Sequence, residues 1–174
     1  MTGGWRFWAP PTSPVRRGSQ RYTIGPGFQQ QHYGRETMAS IRGGCLCGSV
    51  RYASDAEPVA VVVCHCITCQ KNTGSAFSLN LGLPTDAVKI DGTSLGRYED
   101  HTGASGKPFY RTFCSKCGSP IAASGDAYPG LTWIKAGTLD DPTWVKPSTH
   151  VWCGEKQPWV AIEDGTRQLP KSIS

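Results

Sequence analysis

The sequence predicts a mainly β domain assembled from short strands. Three observations carry this. The 174 residues include 21 Gly and 13 Pro, so turns are frequent. No stretch accumulates Leu, Ala, Glu and Lys at helical spacing, whereas β-branched and aromatic residues gather in short runs. Seven of the eight cysteines fall in three tight clusters: Cys45 with Cys47, Cys64 with Cys66 and Cys69, and Cys114 with Cys117. A modest apolar fraction of 38% then suits short strands whose small core is stapled by metal.

Length and charge bound the function classes. A chain of 174 residues suits one domain with tails. The net charge of +5 is unevenly spread. Residues 1–37 hold five Arg against Glu36 alone, while residues 38–174 hold 13 basic and 12 acidic side chains. A body so near neutrality gives no case for a nucleic-acid surface, although the Arg-rich segment can bind polyanions by itself. No run of about 20 apolar residues exists, so no membrane-spanning helix is expected. Residues 1–37 also lack the apolar stretch of a secretory signal. Cysteines one or two residues apart are poor disulfide partners and good chelators. The expectation is a cytoplasmic protein with reduced cysteines and bound zinc.

Residues 1–40 mix Gly, Pro, Ser, Gln and Arg without periodicity, and a disordered extension is expected there. Met38-Ala39-Ser40 runs straight into patterned sequence. Residues 1–37 therefore read as a tail, or as an extension upstream of a start at Met38. Gly43 and Gly44 lead into Cys45, and Gly48 follows Cys47. Glycine there lets the backbone turn its N–H groups toward sulfur. Residues 49–52 alternate like a strand. Pro58 precedes a β-branched run at 59–63, of the buried-strand type, which delivers the chain to Cys64. Residues 70–74 read as a single helical turn ended by Gly74, and 75–81 as another strand. Strands at 88–91, 95–99 and 109–113 form a meander with a loop over 101–108. The last of them feeds the knuckle at Cys114 and Cys117, and 119–122 leaves it. Residues 133–137 alternate before a turn at 138–142. Residues 149–153 form a further strand, and 165–174 fray.

Zinc in a closed structural site takes four N or S ligands. Cys45 and Cys47 form one knuckle and Cys114 and Cys117 another, and two facing knuckles supply four thiolates. The long gap between them is tolerated, because closure entropy grows only with the logarithm of length. Cys64, Cys66 and Cys69 remain as three ligands for a second zinc with one tetrahedral position open. That is the pattern of a catalytic zinc. Three thiolates make the metal a weak generator of hydroxide and suit it to a fourth soft ligand, a substrate thiolate. The metal would keep that sulfur deprotonated and nucleophilic. A purely structural triple completed by His65, His150 or Cys153 stays open at this level. His65 lies between two ligands and would point away from a metal they share. Cys153 lies in a strand-like stretch, where a lone cysteine packs as a small apolar residue.

These residues resemble a known family. Gly43-Gly44-Cys45-Leu46-Cys47-Gly48-Ser49-Val50-Arg51-Tyr52, Cys64-His65-Cys66 with Cys69, Phe113-Cys114 with Cys117-Gly118, and Gly137-Thr138-Leu139-Asp140 look like the glutathione-dependent formaldehyde-activating enzyme family, also called the CENP-V/GFA domain. His150-Val151-Trp152 with Pro158-Trp159 fits it too. The resemblance covers residues 41–165, which leaves 1–40 as an extension and 166–174 as a C-terminal tail. It implies an Mss4-like arrangement of antiparallel sheets stapled by two zinc sites. A structural zinc is implied at Cys45, Cys47, Cys114 and Cys117, and a more labile, catalytic one at Cys64, Cys66 and Cys69. The implied activity is formation of S-(hydroxymethyl)glutathione from glutathione and formaldehyde, a carbon–sulfur lyase reaction in reverse.

Three functional classes are consistent with these features. In the first, the protein is an enzyme whose glutathione thiolate attacks the formaldehyde carbon. Glutathione carries two carboxylates, so cations should face the site; Lys71, Arg51, Arg111 and Lys116 lie near the clusters. Loops around 72–80 and 100–110 would line the pocket. In the second, the metals only stabilise a protein-interaction module, a class to which a chromatin-associated relative in the family belongs. In the third, a related enzyme acts on another thiol or aldehyde.

Overall fold

The β-branched run at 59–63 becomes an inner strand of the larger of two sheets. The computed structural model describes residues 40–162 and 165–172. The expected extension lies outside the described residues apart from Ser40. Among the described residues, eleven strands and one α-helix follow in chain order: β1 (Ile41–Gly44), β2 (Val50–Ser54), β3 (Ala60–Cys64), α1 (Ile67–Thr73), β4 (Ser78–Pro84), β5 (Lys89–Gly92), β6 (Leu95–Asp100), β7 (Phe109–Cys114), β8 (Pro120–Gly125), β9 (Leu131–Lys135), β10 (Thr149–Val151) and β11 (Arg167–Gln168). The small sheet has the order β1-β2-β5, and the large sheet β11-β10-β3-β4-β9-β8-β7-β6.

Val61, Val62 and Val63 are all buried, because both faces of β3 are covered. Val61 packs with Leu81, Leu83 and Ile134 against Ile41, Val50 and Tyr52 of the small sheet. Val62 faces the other way and packs with Leu131, Trp133 and Val151. The large sheet thus has one core face and one face that carries the site. In β8 one residue is bulged: Thr112 pairs with Ala122 and Phe113 with Pro120. The extra residue lets both Ile121 and Ala122 reach the core.

Several boundaries differ from the sequence expectation. The helix starts at Ile67, earlier than residue 70, because Cys66 Sγ accepts the Cys69 N–H at 3.3 Å and caps it. Gly74 ends it with a left-handed φ of 63°. β4 starts at Ser78 rather than 75. β9 ends at Lys135, where Ala136–Thr138 tighten into a 3-10 turn. β10 ends at Val151, since Trp152 turns to a φ of 58° and Cys153–Glu155 form a 3-10 turn. Cys153 is therefore not in a strand. The segment expected to fray contains β11, which pairs in parallel with β10. β10 also runs parallel to β3, so this edge of the sheet is mixed rather than antiparallel. Parallel neighbours need a long crossover, and the chain between β3 and β10 supplies one. No described helix is long and apolar enough to cross a membrane.

Candidate functional site

The first sulfur cluster joins two hairpins from different sheets. Cys45 and Cys47 lie between β1 and β2, and Cys114 and Cys117 lie where β7 turns toward β8. One sulfur from each lies within 4.8 Å of the others. Cys45 Sγ is 3.5 Å from Cys47 Sγ, and Cys47 Sγ is 3.8 Å from Cys114 Sγ. Tetrahedral zinc with Zn–S bonds near 2.3 Å sets its sulfurs about 3.8 Å apart, so the donor set fits the ion. Gly48 and Gly118 follow the second cysteine of each knuckle with φ of 75° and 77°. The Val50 N–H donates to Cys45 Sγ at 3.2 Å. The bond to Ser119 lowers the Cys117 thiol to about 5, while burial raises Cys114 to about 11.

The second cluster forms where β3 leaves its sheet. Cys64 ends the strand, Cys66 caps α1, and Cys69 sits in the helix. Their sulfurs also lie within 4.8 Å of one another. Hydrogen bonds from Cys64 and Cys66 hold the Cys69 thiol at about 2 against the effect of burial, and the Lys135 and Arg111 charges add to this. The same contacts push Cys64 upward. Three sulfurs this close together fit a soft divalent metal.

The proposed fourth donors stand elsewhere. Among the described residues this cluster holds three cysteines and no further ligand. His65 Nε2 and His150 Nδ1 are 2.9 Å apart, with the rings stacked. Burial lowers His65 to about 4, with His150 and Lys156 adding to the shift. Cys153 is half-buried in its turn. Gln70 ties α1 down: its Nε2 donates to the carbonyls of His65 at 2.6 Å and Glu155 at 3.0 Å.

Cys64 and Cys69 line a cavity of about 80 Å³ on the site face of the large sheet. Strand register explains its wall. Val151 pairs with Cys64 and Cys64 with Ser78, forming one row. Val62, Asn80 and Lys135 form the next. Trp133, Ala123 and Arg111 form a third. The wall is thus built mostly from strand residues; Asn80 and Phe109 come from the expected ranges 72–80 and 100–110, but from strands rather than loops.

Of the four cations proposed from sequence, Arg111 alone lines this cavity. It is buried against Asp100, with Nε to Oδ2 at 2.7 Å and NH2 to Oδ2 at 2.6 Å. Arg51 pairs with Asp140, and Lys71 and Lys116 are exposed. Sequence reasoning missed Lys135, which is buried in the cavity wall. The available signal was a lysine inside the apolar run Trp133-Ile134-Lys135-Ala136.

The family model described as glutathione-dependent formaldehyde-activating enzyme matches residues 40–155. A Halomonas elongata protein, provisionally named a glutathione-dependent formaldehyde-activating enzyme, is 29% identical over 129 residues, covering 71% of this chain and 81% of the relative. A crystal structure of a Rhodobacter sphaeroides protein aligns with a TM-score of 0.46 at 18% identity, covering 57% of this chain and 87% of that one. With two sulfur clusters in place and two thirds of its length matched by the family model, the chain belongs to the glutathione-dependent formaldehyde-activating enzyme family.

Proposed function

We propose that this protein joins glutathione and formaldehyde to form S-(hydroxymethyl)glutathione, acting as a zinc-dependent carbon–sulfur lyase in the reverse direction. The observation that carries this is that two residues of a three-cysteine cluster line a cavity shared with buried cations. Zinc held by Cys64, Cys66 and Cys69 would offer an open coordination position that favours thiolate over thiol. Cys45, Cys47, Cys114 and Cys117 would hold a structural zinc.

The chain's own residues select size. A single water needs about 10–15 Å³ on the measure used for such cavities. A cavity of about 80 Å³ therefore takes a one-carbon aldehyde and a thiol tip, not a whole tripeptide. The body of glutathione lies outside, with only its cysteine side chain reaching in. Phe109, Tyr128 and Trp133 form an apolar wall around the reacting atoms. The thiolate attacks the aldehyde carbon, the C–S bond forms, and the carbonyl π pair moves to oxygen, which takes up a proton.

The test is exchange between carbon-13 formaldehyde and the hemithioacetal, followed by NMR in the presence of glutathione. Wild type is expected to accelerate exchange above the uncatalysed reaction. Cys66→Ser is expected to return it to the uncatalysed rate while keeping a cooperative unfolding transition. A Cys66→Ser protein as fast as wild type would sink this reading, as would a wild type no faster than buffer.

A further inference from the structure

Lys135 is a buried ammonium with neutral partners. It is 6% exposed. Its Nζ donates to Ser78 Oγ at 2.8 Å and to Asn80 Oδ1 at 2.9 Å. A lysine has three N–H donors, so these bonds leave one for the cavity that Lys135 lines. The ion pairs of the described residues include Arg51 with Asp140, His101 with Glu99 and Arg111 with Asp100. The other buried cation of the cavity is thus neutralised by a carboxylate, and Lys135 is not. Burying an ammonium without a carboxylate is costly, so negative charge is expected beside it, from the cysteine cluster and from an anionic group in the cavity.

Strand register aims the amine. Lys135 lies directly opposite Asn80, and Ser78 lies directly opposite Cys64. By reaching past Asn80 to Ser78, the ammonium leans toward the cysteine row rather than toward Trp133. Burial, the largest influence on it, holds the Lys135 amine below its ordinary value.

We propose that Lys135 holds and protonates the aldehyde oxygen, with Ser78 and Asn80 as the positioning residues. This rests on the proposed thiol addition. The thiol's proton goes to solvent when the thiolate forms. The thiolate electron pair makes the C–S bond, the C=O π pair becomes the oxygen's lone pair, and Lys135 supplies the proton to that oxygen. Solvent returns a proton to the amine, so thiol plus aldehyde gives hemithioacetal with nothing left over.

The test uses full-length Lys135→Met and Lys135→Arg, with bound metal measured in each protein beside wild type. Methionine is long, apolar and adaptable, and Ser78 Oγ already donates to Asn80 Oδ1 at 2.9 Å, so both keep a partner. Lys135→Met is expected to lower kcat for hemithioacetal formation by about 10²–10³-fold, the usual loss for one oxyanion donor. The KM for glutathione should change far less, and Lys135→Arg should recover part of the rate. Formate serves as a probe of the same oxygen site, titrated against the carbon-13 formate signal. Its affinity is expected to fall about tenfold or more in Lys135→Met, the size of one lost charged hydrogen bond. A Lys135→Met enzyme within about twofold of wild type overturns the proposal. So does a loss of activity that merely tracks loss of metal, since the lysine would then be only a counter-ion for the thiolates. If wild type itself does not accelerate the glutathione reaction, the functional reading fails and formate decides separately. Lys135-dependent formate binding then keeps the oxyanion site, and equal or absent binding removes it.

Discussion

Asp100 shows how burial and partners compete for the charge on one side chain. Burial alone pushes its carboxyl up, but the Thr102 hydroxyl and amide and the Arg111 guanidinium hold it below the ordinary 3.8. A carboxyl with a depressed folded pKa adds stability above its unfolded pKa, and that stability is lost as pH falls through the folded value. The Asp100–Arg111 pair therefore stabilises at neutral pH and stops doing so in strong acid. Its side chains are 3% and 9% exposed, so removing one partner strands a buried charge. Asp100→Asn is expected to cost about 3–5 kcal/mol at pH 7. Urea denaturation measures this, and the gap to wild type should narrow on acidification below 3.8. A gap that does not change with pH would place the cost elsewhere.

At the scale of elements, α1 is the weak member that the site depends on. It has seven residues and none is buried, so neither length nor an apolar face sustains it. It is held by its cysteine cap, by Gly74, and by Gln70, whose amide reaches two carbonyls and accepts from Gln157 Nε2 at 2.7 Å. Gln70→Ala is expected to raise amide hydrogen exchange across α1 and to cost about 1–2 kcal/mol of local stability. The core strands should keep their protection. Uniformly faster exchange would mean that α1 opens only with the whole domain. β3, by contrast, is held on both sides, by β4 and by β10, as far as Cys64.

At the scale of the molecule, the first sulfur cluster links the two sheets. Cys45 and Cys47 come from the small sheet's hairpin, and Cys114 and Cys117 from the large one. Cys114 is fully buried and Cys45 nearly so. A structural zinc contributes a free energy comparable with the whole stability of a small domain. With the proposed structural zinc held there, Cys114→Ala is expected to lose that metal and the cooperative thermal transition together. Retention of a sharp transition after loss of that metal would show that the apolar contacts between the sheets suffice by themselves.

The local parts of this protein were legible from its sequence. Cysteine spacing sets which thiols can reach one ion, glycine placement permits the knuckles, and β-branched runs mark strands; each depends on neighbours a few residues away. The short helix was under-read because a thiol rather than a hydroxyl or carboxylate caps it. Arg51, Arg111, Lys71 and Lys116 looked alike from sequence, and Lys135 looked like one residue of an alternating strand. Only the tertiary structure separated them. Cross-strand register places Val62, Asn80 and Lys135 in one row and Cys64 beside Ser78 in the next. A shift of one residue in that register would turn Lys135 into the core and Ile134 into the site. The sequence by itself determined the sulfur clusters, and the pairing of distant strands decided which charge shares their cavity, because register is fixed by burial across the whole sheet and not by any local pattern.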